Sequence, residues 1–315
     1  MNNWRHIDNP ERGFANKLSD FIHKLEVSEK FFLPDMRQAD RLSIFSDYSS
    51  NKDQQLISYS ILILDDDSVN SFVTAQKEFW PAHSLESRVI EYKRLNDGIR
   101  KRALFPFLQL CNKLNGLILT LIIHKNTKSI YTDDEIPQPL QEKLLCWKNK
   151  IVREKFLRLR DIALLILNGL GREQQNVLWI TDNDEIVANK IQLVTANSIL
   201  KETLNKHLDF RIGGFELKTL DVDSDEKYFE KLCSLTDLTA GGLVDFLGDY
   251  HNAKIFPKEN EIANPIVHFK LKVNPITNWL STNERQSMLK KITIKINQIG
   301  NDNLFIEAFR FPEFK

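Results

Sequence analysis

A chain of 315 residues, 42% hydrophobic and 27% charged, is long enough to bury one large core or two modest ones, and too apolar to remain disordered. Lysine plus arginine equals aspartate plus glutamate, at 43 each, so a nucleic-acid partner would have to be met by a local basic patch rather than by the field of the whole molecule. The three cysteines (Cys111, Cys146, Cys233) lie far apart without a Cys-x-x-Cys pairing, which argues against a disulfide framework or a zinc knuckle, and no apolar run reaches the length of a bilayer span.

From the N-terminus, Phe14, Leu18, Phe21, Ile22 and Leu25 recur at helical spacing, and residues 1–40 read as a helical extension. Arg41–Phe45 reads as a strand ending at Asp47-Tyr48-Ser49-Ser50, and Leu56–Leu64 as a second strand closed by the acidic turn Asp65–Asp67. Ser68 is the expected cap of a helix to about Phe79, Arg88–Tyr92 a short third strand, and Ile99–Leu114 a helix closed by Gly116. Leu117–His124 reads as an apolar fourth strand, Pro139–Leu167 as one long helical region, and Val177–Thr181 as a fifth strand. Helical spacing returns over Ile186–Leu204 and Lys227–Leu247, with a strand at Phe215–Val222 between them. Ile266–Val273 has a strand pattern, and Ile292–Ile296 with Leu304–Phe311 suggests a hairpin. Three early strands followed by strand–helix alternation imply an α/β mixed sheet flanked by helices, its core at 41–250 and a β-rich accessory element at 251–315.

Acidic residues recur where strands end. Asp47 follows the first strand, Glu91 lies in the third, and Asp182 follows the fifth. A fourth acid, Asp237, shares a helix face with Cys233, Ala240, Gly241 and Val244, where an isolated charge would be costly without a cation or a strong hydrogen-bond partner. Gly241 and Gly242 each cost roughly 1 kcal/mol of helix propensity against Ala, a cost that makes sense where the helix lies very close to the sheet. Oxygen donors converging from separate strands are what a hard cation such as Mg2+ or Mn2+ requires. Each acid also has an ordinary reading. Asp47 suits a turn, Glu91 suits an exposed strand position paired with Lys93 or Arg88, and Asp182 competes with Asp184 or serves the first turn of the next helix. Asp237 would do as a hydrogen-bonded buried acid.

The blocks Phe45-Ser46-Asp47-Tyr48-Ser49-Ser50, Glu91-Tyr92-Lys93, Leu178-Trp179-Ile180-Thr181-Asp182 and Leu232 to Gly241 resemble, in order, the signature blocks of the domain-of-unknown-function 3800 family, which is ribonuclease H-like. The resemblance implies a ribonuclease H-like sheet and a metal-dependent nuclease in which Asp47, Glu91, Asp182 and Asp237 are both catalytic acids and ligands of Mg2+ or Mn2+. Lys93 would then be a phosphate contact. Three departures stand out: Tyr48 occupies the place of the family's Glu, Ser50 that of its Gly, and Thr236 that of the Ala before Asp237. They open the alternative of a degraded, non-cleaving interaction or sensor subunit, in the setting of bacterial defence, with protein partners met through the terminal extensions.

Lys148, Lys150, Arg153, Lys155, Arg158 and Arg160 form a basic run, readable as a solvated helix face or as a phosphate-backbone track on which Arg153 and Arg160 would touch DNA or RNA. Phosphate-binding loops, dinucleotide fingerprints and nucleophile elbows are absent, which leaves kinase, dehydrogenase and α/β-hydrolase readings without support. The expectation is a soluble, cytoplasmic protein without a membrane partner.

Overall fold

The computed structural model describes residues 3–7, 13–28, 31–50, 56–86, 88–125, 127, 136–222, 227–252, 272–281, 287–299 and 303–309. The elements in chain order are α1 (Gly13–Val27), β1 (Arg41–Ser50), β2 (Leu56–Asp65), α2 (Asp66–Ala82), a 3-10 turn (Tyr92–Arg94), α3 (Gly98–Cys111), β3 (Gly116–His124), α4 (Gln138–Leu144), α5 (Lys150–Leu170), β4 (Asn176–Thr181), α6 (Lys190–His207), β5 (Gly214–Thr219), a 3-10 turn (Leu220–Val222), α7 (Tyr228–Asn252), α8 (Val273–Ser281), β6 (Leu289–Ile299) and β7 (Asn303–Ala308). The strands form one mixed sheet in the order β5-β4-β1-β2-β3-β6-β7, so the protein is α/β. β4 and β5 pair in parallel from Asn176↔Gly214 to Thr181↔Thr219, and β3 and β6 from Gly116↔Leu289 to Ile123↔Ile296. β6 and β7 are antiparallel, as the alternation around Gly300–Asn303 implies.

The chain divides into two compact units. The first comprises Met1–Ile44, Leu64–Asp67 and Lys128–Val222. Its central element is α5, against which α1 and α6 pack. The amphipathic stripe of α1 buries Phe14, Leu18, Ile22 and Leu25, and Trp4, Ile7 and Met36 join that core. Trp4 is held by its indole N–H donating to Ser19 Oγ (3.1 Å) and its backbone N–H to Glu26 (3.0 Å). Its ring lies over Gly169, where a Cβ would fall 2.3 Å from Trp4 Cζ3.

The long helical region expected over Pro139–Leu167 is two helices. Asn149 caps α5 by accepting from Ile151 N (2.9 Å), and the buried Trp147 between α4 and α5 donates its indole N–H to Ile186 O (2.7 Å). An N-cap side chain satisfies a helix end's unpaired N–H only if the preceding backbone is extended, which breaks the run.

The second unit comprises Phe45–Ile63, Ser68–Thr127 and Asp223–Lys315. Its part of β2 and nearly all of β3 are buried, consistent with their unbroken apolar runs. Small hydroxyl residues on these strands let α7 approach: Ser58 donates to Ala240 O (2.8 Å), and Ser60 is bonded to Thr239 (2.6 Å) and Thr120 (3.1 Å). On α2 and α3, Phe72, Phe79, Trp80 and Phe107 make edge and tilted ring contacts.

Several expectations are corrected. Asp47 lies inside β1, not after it, because the strand runs on to Ser50. α2 starts at Asp66, with Asp66 and Asp67 in the first turn where carboxylates favour the helix dipole. Ser68 instead accepts from Asn115 N (2.7 Å). Arg88–Tyr92 is not a strand. Three of its polar backbone groups are taken by side chains and others by local turns: Trp80 donates to Arg88 O (2.9 Å), Arg100 to Val89 O (2.8 Å), and Asp237 accepts from Tyr92 N (2.6 Å), while Arg88 N donates to Leu85 O (2.7 Å). Most of the Ile266–Val273 pattern lies outside the described residues, and Val273 opens α8.

The contact between Trp4 and Gly169 is testable. Gly169→Ala forces the ring from its seat, and thermal or urea denaturation is expected to show a loss of about 2 kcal/mol, in the usual range for overpacking.

Candidate functional site

The densest polar arrangement around a sequence-identified acid is built on α7. Asp237, Gly241 and Asp245 follow one another at four-residue steps and so share one face. Tyr92 lies along that face. Its backbone N–H donates to Asp237 Oδ2 (2.6 Å), and its phenol donates to Asp245 Oδ2 (2.7 Å). Its ring rests where a Cβ on Gly241 would fall 2.4 Å from Tyr92 Cδ1. From the other side, Lys272 Nζ stands 3.8 Å from the ring centroid and 3.9 Å from Asp245. Burial, the bond to Asp245 and the carboxylate charges of Asp245, Asp249 and Asp237 raise the phenol pKa far above its usual value, so Tyr92 stays a donor.

The glycine pair therefore has a different purpose from the expected one. Gly241 accommodates Tyr92, and Gly242 accommodates α8, where a Cβ would fall 3.0 Å from Ile276 Cγ2. The sheet is met by Thr239 and Ala240. Asp237 is half-buried, with Cys233, Ala240 and Val244 buried around it, as its helix face implies.

The N–H that Asp237 accepts belongs to the peptide linking Glu91 to Tyr92, so the Glu91 backbone and the Asp237 carboxylate meet at one point. Glu91 is half-buried and paired with Arg94 (3.2 Å), while Lys93 is exposed on the same turn. Asp47 lies in the same compact unit, half-buried, with Oδ1 accepting from Tyr48 N (2.7 Å).

Asp182 belongs to the other unit and is exposed. It accepts from Asn183 N (2.7 Å), and Asn183 in turn donates to Asp221 (3.2 Å), which also accepts from Thr219 (3.2 Å). Asp184 accepts from Ile186 N (2.7 Å). Neither acid opens the next helix, because α6 starts at Lys190 and is capped by Asn189.

The basic run is not a solvated face. α5 is buried around most of its circumference, so Lys155 and Arg158 (4% exposed) are taken inside and paired, with Glu185 and Glu154 respectively. Arg160 pairs with Asp161 (2.8 Å), and Arg153 donates to Trp147 O (2.6 Å). Lys148 and Lys150 are exposed. A buried charge must be neutralised by a partner, which charge counting along a helix does not reveal.

All four acids are oxygen donors, which suits a hard cation. Among the described residues, no group of three or more His, Cys, Asp or Glu side chains is placed to hold a metal ion. No protein-family model matches the chain, and no curated protein matches it. Among the described residues, no helix is long and apolar enough to cross a membrane.

Sequence reasoning missed Tyr92 and Asp245. The four-residue rhythm Asp237, Gly241, Asp245 was the available sign that a bulky partner lies on that face. Asp237→Ala leaves the Tyr92 N–H without its acceptor and is expected to cost about 1–3 kcal/mol in urea denaturation. Asp237→Asn retains an acceptor oxygen and is expected to lose less than half as much.

Proposed function

We propose that this chain is a ribonuclease H-like, metal-dependent nuclease acting on DNA or RNA, with Asp47, Glu91 and Asp237 as its acids. The observation that carries the reading is the bond from Tyr92 N to Asp237, which brings a half-buried carboxylate to the peptide of a second acid, Glu91. Mg2+ commonly binds through one or two carboxylates and fills its remaining positions with water and substrate phosphate oxygens, so a pair of acids is a sufficient protein contribution. Glu91 and Asp237 would hold the ion, and when bound it would supply a water activated for attack on phosphorus. The exposed Lys93 suits a phosphate contact beside it, a local charge in keeping with a chain of zero net charge. The mixed α/β sheet and the ordered blocks resembling the domain-of-unknown-function 3800 family support the same reading.

A second reading is a ribonuclease H-like interaction or sensor subunit that does not cleave, as in a bacterial defence system. Tyr48 in the place of the family's Glu favours it.

Calorimetric titration with Mn2+ and Mg2+, run beside cleavage assays on single-stranded and duplex DNA and on RNA, separates the two. The nuclease reading expects one saturable binding event, its affinity reduced about tenfold or more in Asp237→Ala, and ion-dependent cleavage of at least one substrate. Absence of binding, or binding identical in Asp237→Ala and Glu91→Ala, would refute it.

A further inference from the structure

We propose that Tyr92 is a positioning residue that sets the reach of Glu91 and Lys93 relative to Asp237; the inference rests on the metal-site reading above. Three separate contacts fix Tyr92 to one helix face: backbone N–H to Asp237 (2.6 Å), ring on Gly241, and phenol to Asp245 (2.7 Å). Lys272 closes the fourth side over the ring at 3.8 Å and reaches Tyr92 O at 3.5 Å. Tyr92 is buried, whereas its neighbours are not: Glu91 is half-buried and Lys93 exposed. One inward side chain therefore anchors a turn whose flanking residues face outward with the functional groups.

The arrangement is more than a packing contact. A ring alone would satisfy the seat over Gly241, and Phe would fill it. The phenol adds a directed bond to Asp245, two helical turns from Asp237, so the turn is held at both ends of an Asp–Gly–Asp stripe and cannot pivot about the Asp237 bond. Groups that orient a metal-binding carboxylate commonly alter ion affinity by about 10–100-fold when removed.

The test measures Mn2+ affinity of the full chain by electron paramagnetic resonance of the free ion, with melting temperature recorded for each variant. Tyr92→Phe keeps the ring and the N–H but loses the phenol, and is expected to weaken Mn2+ about tenfold. Asp245→Asn, which still accepts from the phenol, is expected to stay within about twofold of the wild type. Gly169→Ala, which lowers stability in the other unit, is expected to leave affinity unchanged, separating positioning from general destabilisation. If Tyr92→Phe does not fold, Asp245→Ala breaks the same bond from the other side and carries the comparison. Wild-type affinity in Tyr92→Phe, with Asp237→Ala impaired, would overturn the positioning role while sparing the metal reading. No Mn2+ binding by the wild type would overturn both.

Discussion

The carboxylate of Asp237 accepts a backbone N–H from a residue 145 positions earlier in the chain, and that bond ties the turn at Tyr92–Arg94 to α7. A half-buried carboxylate is stable only where donors replace the water it loses, and a charge-assisted bond of this kind is among the stronger ones a protein makes. The segment it holds forms no ladder with the sheet. Trp80 and Arg100 reach its carbonyls, Asp237 its N–H, and Asp97 caps the helix that follows, its carboxyl held below the usual carboxylate range chiefly by the bond from Arg100 N. Residues 88–97 are thus held by their own backbone turns together with side chains from other elements, which places Glu91 and Lys93 without a strand beneath them.

Much of the architecture was legible because hydrophobic pattern and secondary structure agree. Unbroken apolar runs marked β2 and β3, alternation marked β6 and β7, and the stripe Phe14, Leu18, Ile22, Leu25 marked α1. Failures fall where side chains, not periodicity, decide the backbone. Arg88–Tyr92 has a strand's composition, but three of its hydrogen-bonding groups are claimed by Trp80, Arg100 and Asp237, and others by local backbone turns. The break between α4 and α5 depends on Asn149 and Trp147, whose roles require Ile151 N and Ile186 O to be in place. The charges of α5 alternate like a solvated face, yet Arg158 is buried because its partner Glu154 lies one turn before it.

The candidate site was legible in part for the same reason. An acid among Cys233, Ala240 and Val244 signals a group with a specific partner, and the partner proved to be the Tyr92 peptide. The glycines signalled a close approach but not its object: a tyrosine ring for Gly241 and an isoleucine of α8 for Gly242, where the sheet was expected. Asp182 was legible as a residue following a strand, while its place in a turn shared with Asn183 and Asp221 depends on β5 lying parallel to β4. Spacing along the chain shows which residues share a face, but not which distant residue that face meets.

The most direct test of the central claim is paramagnetic line broadening in the isotope-labelled chain on addition of sub-stoichiometric Mn2+. If Asp237 and the turn it holds form the ion site, the amides of Tyr92, Lys93 and Leu238 broaden before those of the acidic turn Asp65–Asp67. Broadening that starts at Asp65–Asp67, or that leaves Tyr92 sharp throughout the titration, would contradict the account.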